Sequence, residues 1–100
     1  RGFEATKAMR LTNAQSTGIG ELFTAFSATQ IETARAMQWA WQASGQIIDP
    51  HTAVGLSAAR DAVKDGAVDP RVPVVTLATA HPAKFPDAVE RAIGMRPALP

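Results

Sequence analysis

His51, His81, Lys84, Thr76 and Thr79 are the side chains of this sequence best suited to chemistry or ligand contact. A histidine can bind a metal or carry a proton near neutral pH. A zinc site needs further ligands, however, and the spacing of His51 and His81 matches no zinc pattern. The expectation is a helix-start histidine and a loop histidine with hydrogen-bond roles, and no metal. Lys84 follows an apolar run and lies near His81. That placement admits a Schiff-base role, although an ordinary surface lysine is the reading the pattern favours. Ser57 falls inside a helical pattern, there is no G-x-S-x-G elbow and no cysteine, so nucleophilic catalysis finds no support. Gly18-Ile19-Gly20 is a fragment of a dinucleotide fingerprint, with Phe23 where its third glycine would stand, and reads as loop. The carboxylate pairs Asp61/Asp65 and Asp87/Glu90 have basic neighbours and read as solvated helix faces. Thr76, Thr79 and His81 cluster where an apolar run ends, and ligand sites in open α/β sheets gather at the carboxyl ends of strands. Physics favours this spot for binding without separating Thr76 from Thr79.

Several elements must position these residues. Thr29-Gln30-Ile31-Glu32 has capping-box spacing, which predicts a helix to Ala43 that Ser44-Gly45 ends. Ile31, Ala34, Met37 and Trp41 form its expected apolar stripe. Trp39 lies nearly opposite Trp41, because two residues turn a helix by about 200°, so one ring is expected to face a partner. Asp49-Pro50 supplies an N-cap acceptor and a first-turn proline. The helix they open should reach about Lys64, with Ala53, Leu56, Ala59 and Val63 facing inward. Gly55 inside it implies close backbone packing, since glycine costs about 1 kcal/mol there relative to alanine. Asp65 to Pro70 reads as a turn. Val72 to Ala78 reads as a strand covered on both faces, yet no other segment offers it a partner. Pro86 opens a last helix with Ala88, Val89, Ala92 and Ile93 on one side and Asp87/Arg91 paired at i,i+4; Gly94 stops it. Before these elements, Phe3, Ala8 and Met9 suggest one side of a short helix, and Asn13 to Gly20 reads as a Ser/Thr/Gly-rich loop.

The bulk numbers bound the class. One hundred residues, 46% hydrophobic, with seven glycines and seven prolines, make a globular composition the size of one small domain. Ten basic and nine acidic residues leave a net charge of +1, which predicts no electrostatic grip on nucleic acid. No apolar run approaches the roughly 18 residues of a membrane span. The lack of cysteine excludes disulfides and fits a reducing cytoplasm. A start at Arg1 rather than Met reads as a fragment boundary.

Asp49 to Gly55 reads DPHTAVG, and Thr76 to Phe85 reads TLATAHPAKF. Together with AAR at Ala58 to Arg60 and PDAVERAIG from Pro86, these stretches resemble the C-terminal signature segments of bacterial and fungal threonine synthases. The resemblance covers residues 26–100 well and 1–25 loosely. It implies an α/β fragment, predominantly helical, that forms the C-terminal part of a tryptophan synthase β-like, pyridoxal-phosphate (PLP) enzyme fold. The parent it implies is a cytoplasmic lyase turning O-phospho-L-homoserine and water into L-threonine and phosphate, with the remainder of its chain as partner. In that family the Schiff-base lysine and the phosphate-holding glycine-rich loop lie upstream of this segment, so Lys84 takes no Schiff-base role. No catalytic residue carries over, and the segment alone is expected to be inactive. Within the TAHPAKF motif, Thr79 is the residue expected to present its hydroxyl near the pyridine nitrogen of PLP. The competing readings are the tail of a sister PLP lyase such as threonine dehydratase, and a free-standing helical interaction module.

Overall fold

Four helices and one 3₁₀ turn make up the regular structure of residues 12–100, the part that the computed structural model describes. In chain order they are α1 (Asn13–Leu22), α2 (Gln30–Ser44), α3 (Pro50–Lys64), the 3₁₀ turn (Pro82–Lys84) and α4 (Pro86–Ile93). The side chain suggestions for Phe3, Ala8 and Met9 lie outside the described residues.

Local hydrogen bonding fixes the helix ends. Thr29 Oγ1 accepts from the Glu32 amide at 3.1 Å, and the Glu32 carboxylate accepts from the Thr29 amide at 2.9 Å. This reciprocal pair satisfies two free donors at the start of α2. Its far end closes at Gly45, whose φ of 71° is left-handed backbone that glycine adopts without strain. Gly94 closes α4 in the same way at φ 82°. Proline opens both α3 and α4 at a position where its missing N–H has no intrahelical partner to lose.

α1 departs from expectation, since Asn13 to Gly20 is helical rather than loop. The physical reason is a second reciprocal cap. The Thr12 amide donates to Gln15 Oε1 at 2.9 Å, while the Gln15 amide donates to Thr12 Oγ1 at 3.1 Å. Thr12-x-x-Gln15 has the same spacing as the cap of α2, and the Ser/Thr/Gly content of the segment obscured it.

α2 is the central element, with both α3 and α4 packed against it. The core consists of Ala36, Met37, Ala53, Val89 and Ala92, supported by half-buried Ile47, Ile48, Leu56 and Ile93. Three of the five are alanines, so the helix axes approach closely around Met37. The buried stripe of α2 is Ala36, Met37 and Ala40 rather than the expected run from Ile31, which remains 65% exposed. Trp41 is half-buried and Trp39 is exposed, with the Arg60 guanidinium stacked 4.1 Å above the Trp39 ring. On α4, Val89 and Ala92 are buried as expected. Asp87 pairs not with Arg91 but with Arg96, which also reaches Glu90 at 2.7 Å. The chain turns back after Gly94, so Arg96 holds two carboxylates at once.

The strand expected over Val72 to Ala78 is not formed. The segment carries no ladder, because the described residues contain no strand to pair with it. It instead runs along α3, where Val74 and Thr76 share a groove with Leu56 and Val63. Val75 and Leu77 stand 81% and 74% exposed. The regular structure of the described residues is therefore helical. None of these helices is long and apolar enough to cross a membrane.

Met37→Ala should lower unfolding free energy by about 2–5 kcal/mol, because a buried side chain leaves a cavity. Ile31→Ala, at an exposed position, should cost under about 0.5 kcal/mol. Urea denaturation of the two variants checks the assignment of the buried face. Equal losses would contradict it.

Candidate functional site

The two motif stretches, DPHTAVG and TLATAHPAKF, meet in space along the N-terminal half of α3. Asp49 anchors the first. Its side chain is fully buried and caps α3. Oδ2 accepts from the His51 amide and from His51 Nδ1, each at 2.9 Å, while Oδ1 accepts from the Thr52 amide at 3.2 Å and from the Thr52 hydroxyl. Burial pushes this carboxyl up, but the hydrogen bonds from Thr52 and His51 outweigh it, and the group lies below the ordinary aspartate range.

A carboxylate can only accept, so His51 Nδ1 is the donor, and in its neutral form the ring carries its proton there. The His51 ring rests against Phe85, with centroids 4.8 Å apart and planes at 59°. Phe85 is the last residue of TLATAHPAKF, and this ring pair is one junction between the motifs. The other is at Gly55, where an added Cβ would meet the Thr76 methyl at 3.3 Å. The close packing implied by a mid-helix glycine is thereby located.

Between these junctions the chain runs from Thr76 past Thr79 into the 3₁₀ turn. His81 caps that turn, its Nδ1 accepting from the Ala83 amide at 3.0 Å. An amide can only donate, so a neutral His81 carries its proton on Nε2, the opposite tautomer to His51. Lys84 closes the turn with its side chain exposed. Thr79 is exposed on the limb before the turn, whereas Thr76 is half-buried against α3. The burial difference distinguishes two threonines that periodicity leaves equivalent. Ser57 is buried in α3. The described residues hold no cluster of three His, Asp or Glu side chains able to bind a metal.

The structure brings together His51, Phe85, Gly55 and Thr76, and leaves Thr79 and Lys84 facing outward. The expected helix-start hydrogen-bonding place of His51 is where the structure puts it, whereas nothing in the sequence pattern singles out Phe85. The available signal was the Asp49-Pro50-His51 order, which sets a histidine within reach of an N-cap carboxylate. A separate apolar groove of about 600 Å³ lies between α2, α3 and α4, bordered by Ile31, Met37, Val54, Ala88 and Ala92; Thr79 does not line it.

A family model described as threonine synthase, C-terminal, matches residues 52–100. An X-ray structure of PLP-bound threonine synthase from Brucella melitensis superposes with a TM-score of 0.83 at 36% identity, over 99% of this chain and 20% of its own. The chain belongs to the threonine synthase family. Threonine synthase from Pseudomonas aeruginosa is 39% identical over 98% of this chain, and that from Saccharomyces cerevisiae 37% identical over 76%. The chain spans 20% and 15% of those two proteins. It therefore corresponds to a C-terminal portion of the threonine synthase fold.

The Asp49 carboxyl, lowered on folding, contributes stability that is complete above its unfolded value of about 3.9 and is lost as pH falls through the folded value. Stability should therefore decline from about pH 5 downward. Asp49→Asn keeps an N-cap acceptor but should cost on the order of 1 kcal/mol at pH 7 and flatten this acid limb. Denaturation midpoints between pH 3 and 7 test it, and an unchanged slope in the variant would remove Asp49 as the cause.

Proposed function

We propose that residues 1–100 are the C-terminal portion of a threonine synthase, with 26–100 bearing its signature segments and 1–25 a less closely matched lead-in. In this reading the whole enzyme is a PLP-dependent lyase that converts O-phospho-L-homoserine and water to L-threonine and phosphate. The observation that carries the proposal is the superposition of nearly all of this chain on a PLP-bound threonine synthase. The threonine dehydratase and free-standing module readings have no comparable support. A cytoplasmic setting is part of the proposal and fits a cysteine-free chain.

PLP supplies an electron sink for bond changes at the substrate. Thr79 is the residue of this chain proposed to touch it. Its outward position suits contact with a group lying beyond these residues, and the half-buried placement of Thr76 suits it less. A hydroxyl is a neutral hydrogen-bond partner for the pyridine nitrogen. It orients the ring without enforcing the positive charge that a carboxylate would favour. The remainder of the enzyme supplies the catalytic lysine and the phosphate-binding loop, so this segment by itself is inactive.

Phosphate release from O-phospho-L-homoserine is the decisive assay, in a full-length enzyme carrying this segment. Thr79→Val should reduce it by roughly tenfold, the worth of one hydrogen bond of about 1.4 kcal/mol. Thr79→Ser should retain most of the rate. Release unchanged by Thr79→Val would return Thr79 to a structural role. No release from a folded, PLP-loaded wild type would overturn the functional reading and favour the sister lyase.

A further inference from the structure

We propose that the His51–Gly55 face of α3 is the template that sets the position of Thr79, making His51, Gly55 and Phe85 positioning residues for the cofactor contact. The inference rests on the role given to Thr79 above.

His51 and Gly55 are four residues apart and lie one above the other on a single helix face. Each meets one end of the Thr76–Phe85 segment. The Thr76 methyl closes on Gly55, and the Phe85 ring lies against His51. The two supports are separated by about 6 Å of helix rise, whereas a segment of this length could extend to about 30 Å. The ten residues therefore bend back between the two supports rather than run extended, forming an arch. The return limb is structured by the His81–Ala83 hydrogen bond and the 3₁₀ turn, and Pro82 and Pro86 restrict it further. Thr79 lies on the outgoing limb, three residues from its Gly55 support and two from His81. Both feet of the arch are thus fixed to the same helix, leaving little freedom for the exposed hydroxyl between them.

The helix face is itself held by the buried Asp49 carboxylate, whose hydrogen bond to Nδ1 fixes the plane of the His51 ring. One charge-assisted bond and one ring contact connect Asp49 to the arch. Such a connection matters for binding because hydrogen bonds weaken steeply with misalignment. A displaced foot would leave Thr79 present and chemically intact but poorly aimed.

The test uses a full-length, PLP-binding enzyme carrying this segment. His51→Asn keeps a donor for Asp49 and removes the ring; Phe85→Leu removes the opposing ring, and Phe85→Tyr keeps it. The PLP dissociation constant is measured by fluorescence titration, and amide hydrogen exchange is followed across residues 76–85. His51→Asn and Phe85→Leu should each weaken PLP binding about three- to tenfold, in keeping with an aromatic contact of ordinary strength. Exchange across the arch should quicken in both, and Phe85→Tyr should restore both readouts. In a Thr79→Val background His51→Asn should add little, because the contact it positions has been removed. A His51→Asn effect that adds in full to that of Thr79→Val, or an unchanged dissociation constant, overturns the template. If Thr79→Val leaves PLP binding at the wild-type value, the underlying cofactor role of Thr79 fails, and the template for it fails as well.

Discussion

The buried carboxylate of Asp49 is the constraint on which the arrangement of this segment depends. An ionised group without solvent contact is costly unless hydrogen-bonded throughout. Here two amides, a hydroxyl and an imidazole supply four donors. The positive end of α3 adds a favourable field. All of these donors come from the first turn of one helix, so the charge is stable only if that turn forms and remains against α2. Ala53, four residues beyond the cap and next to Thr52, is fully buried in the core. The start of α3 is accordingly both a polar knot and the point where three helices converge, and displacing it would expose the charge and open the core together.

Around this point the packing is close but limited. Alanines at positions 36, 53 and 92 let helices approach at short range while burying little area apiece. The remaining apolar surface is directed outward, with Val75, Leu77 and Ile31 largely exposed. Large apolar side chains left uncovered in number mark surfaces that pack against something else. Under the proposed function, the remainder of the enzyme supplies the missing cover, since this chain matches about a fifth of a threonine synthase. Under the proposed function, the Val72–Ala78 run is unpaired here for the same reason. Its composition is that of an interior strand, and backbone pairing requires a neighbour.

Helix ends were legible in the sequence because they depend on interactions within a few residues. The Thr29/Glu32 box, the Asp49-Pro50 start and the Gly45 and Gly94 stops each stand where the residue types required. α1 is not legible in the pattern although its Thr12/Gln15 box obeys the same rule, because the Ser/Thr/Gly content of Asn13 to Gly20 reads as loop. Helix faces were less legible. Ile31 continues the stripe of Met37 by periodicity, but which side of α2 is buried depends on where α3 and α4 arrive. The pairing of Arg96 with Asp87 and Glu90 depends on a chain reversal beyond Gly94, which i,i+4 reasoning does not include. At the site, motif resemblance selected Thr79, and no periodicity could have separated it from Thr76. The burial of Thr76 against Gly55 is a tertiary fact.

A division of labour follows within the motif residues. The histidines and the aspartate, which invite a catalytic reading by type, are occupied with geometry. Asp49 satisfies a helix start, His51 passes its orientation to Phe85, and His81 closes a turn. Each interaction fixes backbone on one side of Thr79 or the other. Of the two residues left outward, Thr79 has a short side chain with a single rotatable hydroxyl-bearing torsion, unlike Lys84. Such a group has little reach of its own, so its position is inherited almost entirely from the backbone beneath it. A lysine or glutamate in its place could search for a partner at a cost in side-chain entropy. A threonine cannot search, and contact by it is therefore consistent only with an arch whose two feet are already fixed. Under the proposed function, the motif's length, with polar residues far from the Thr79 hydroxyl, is what such a short side chain demands.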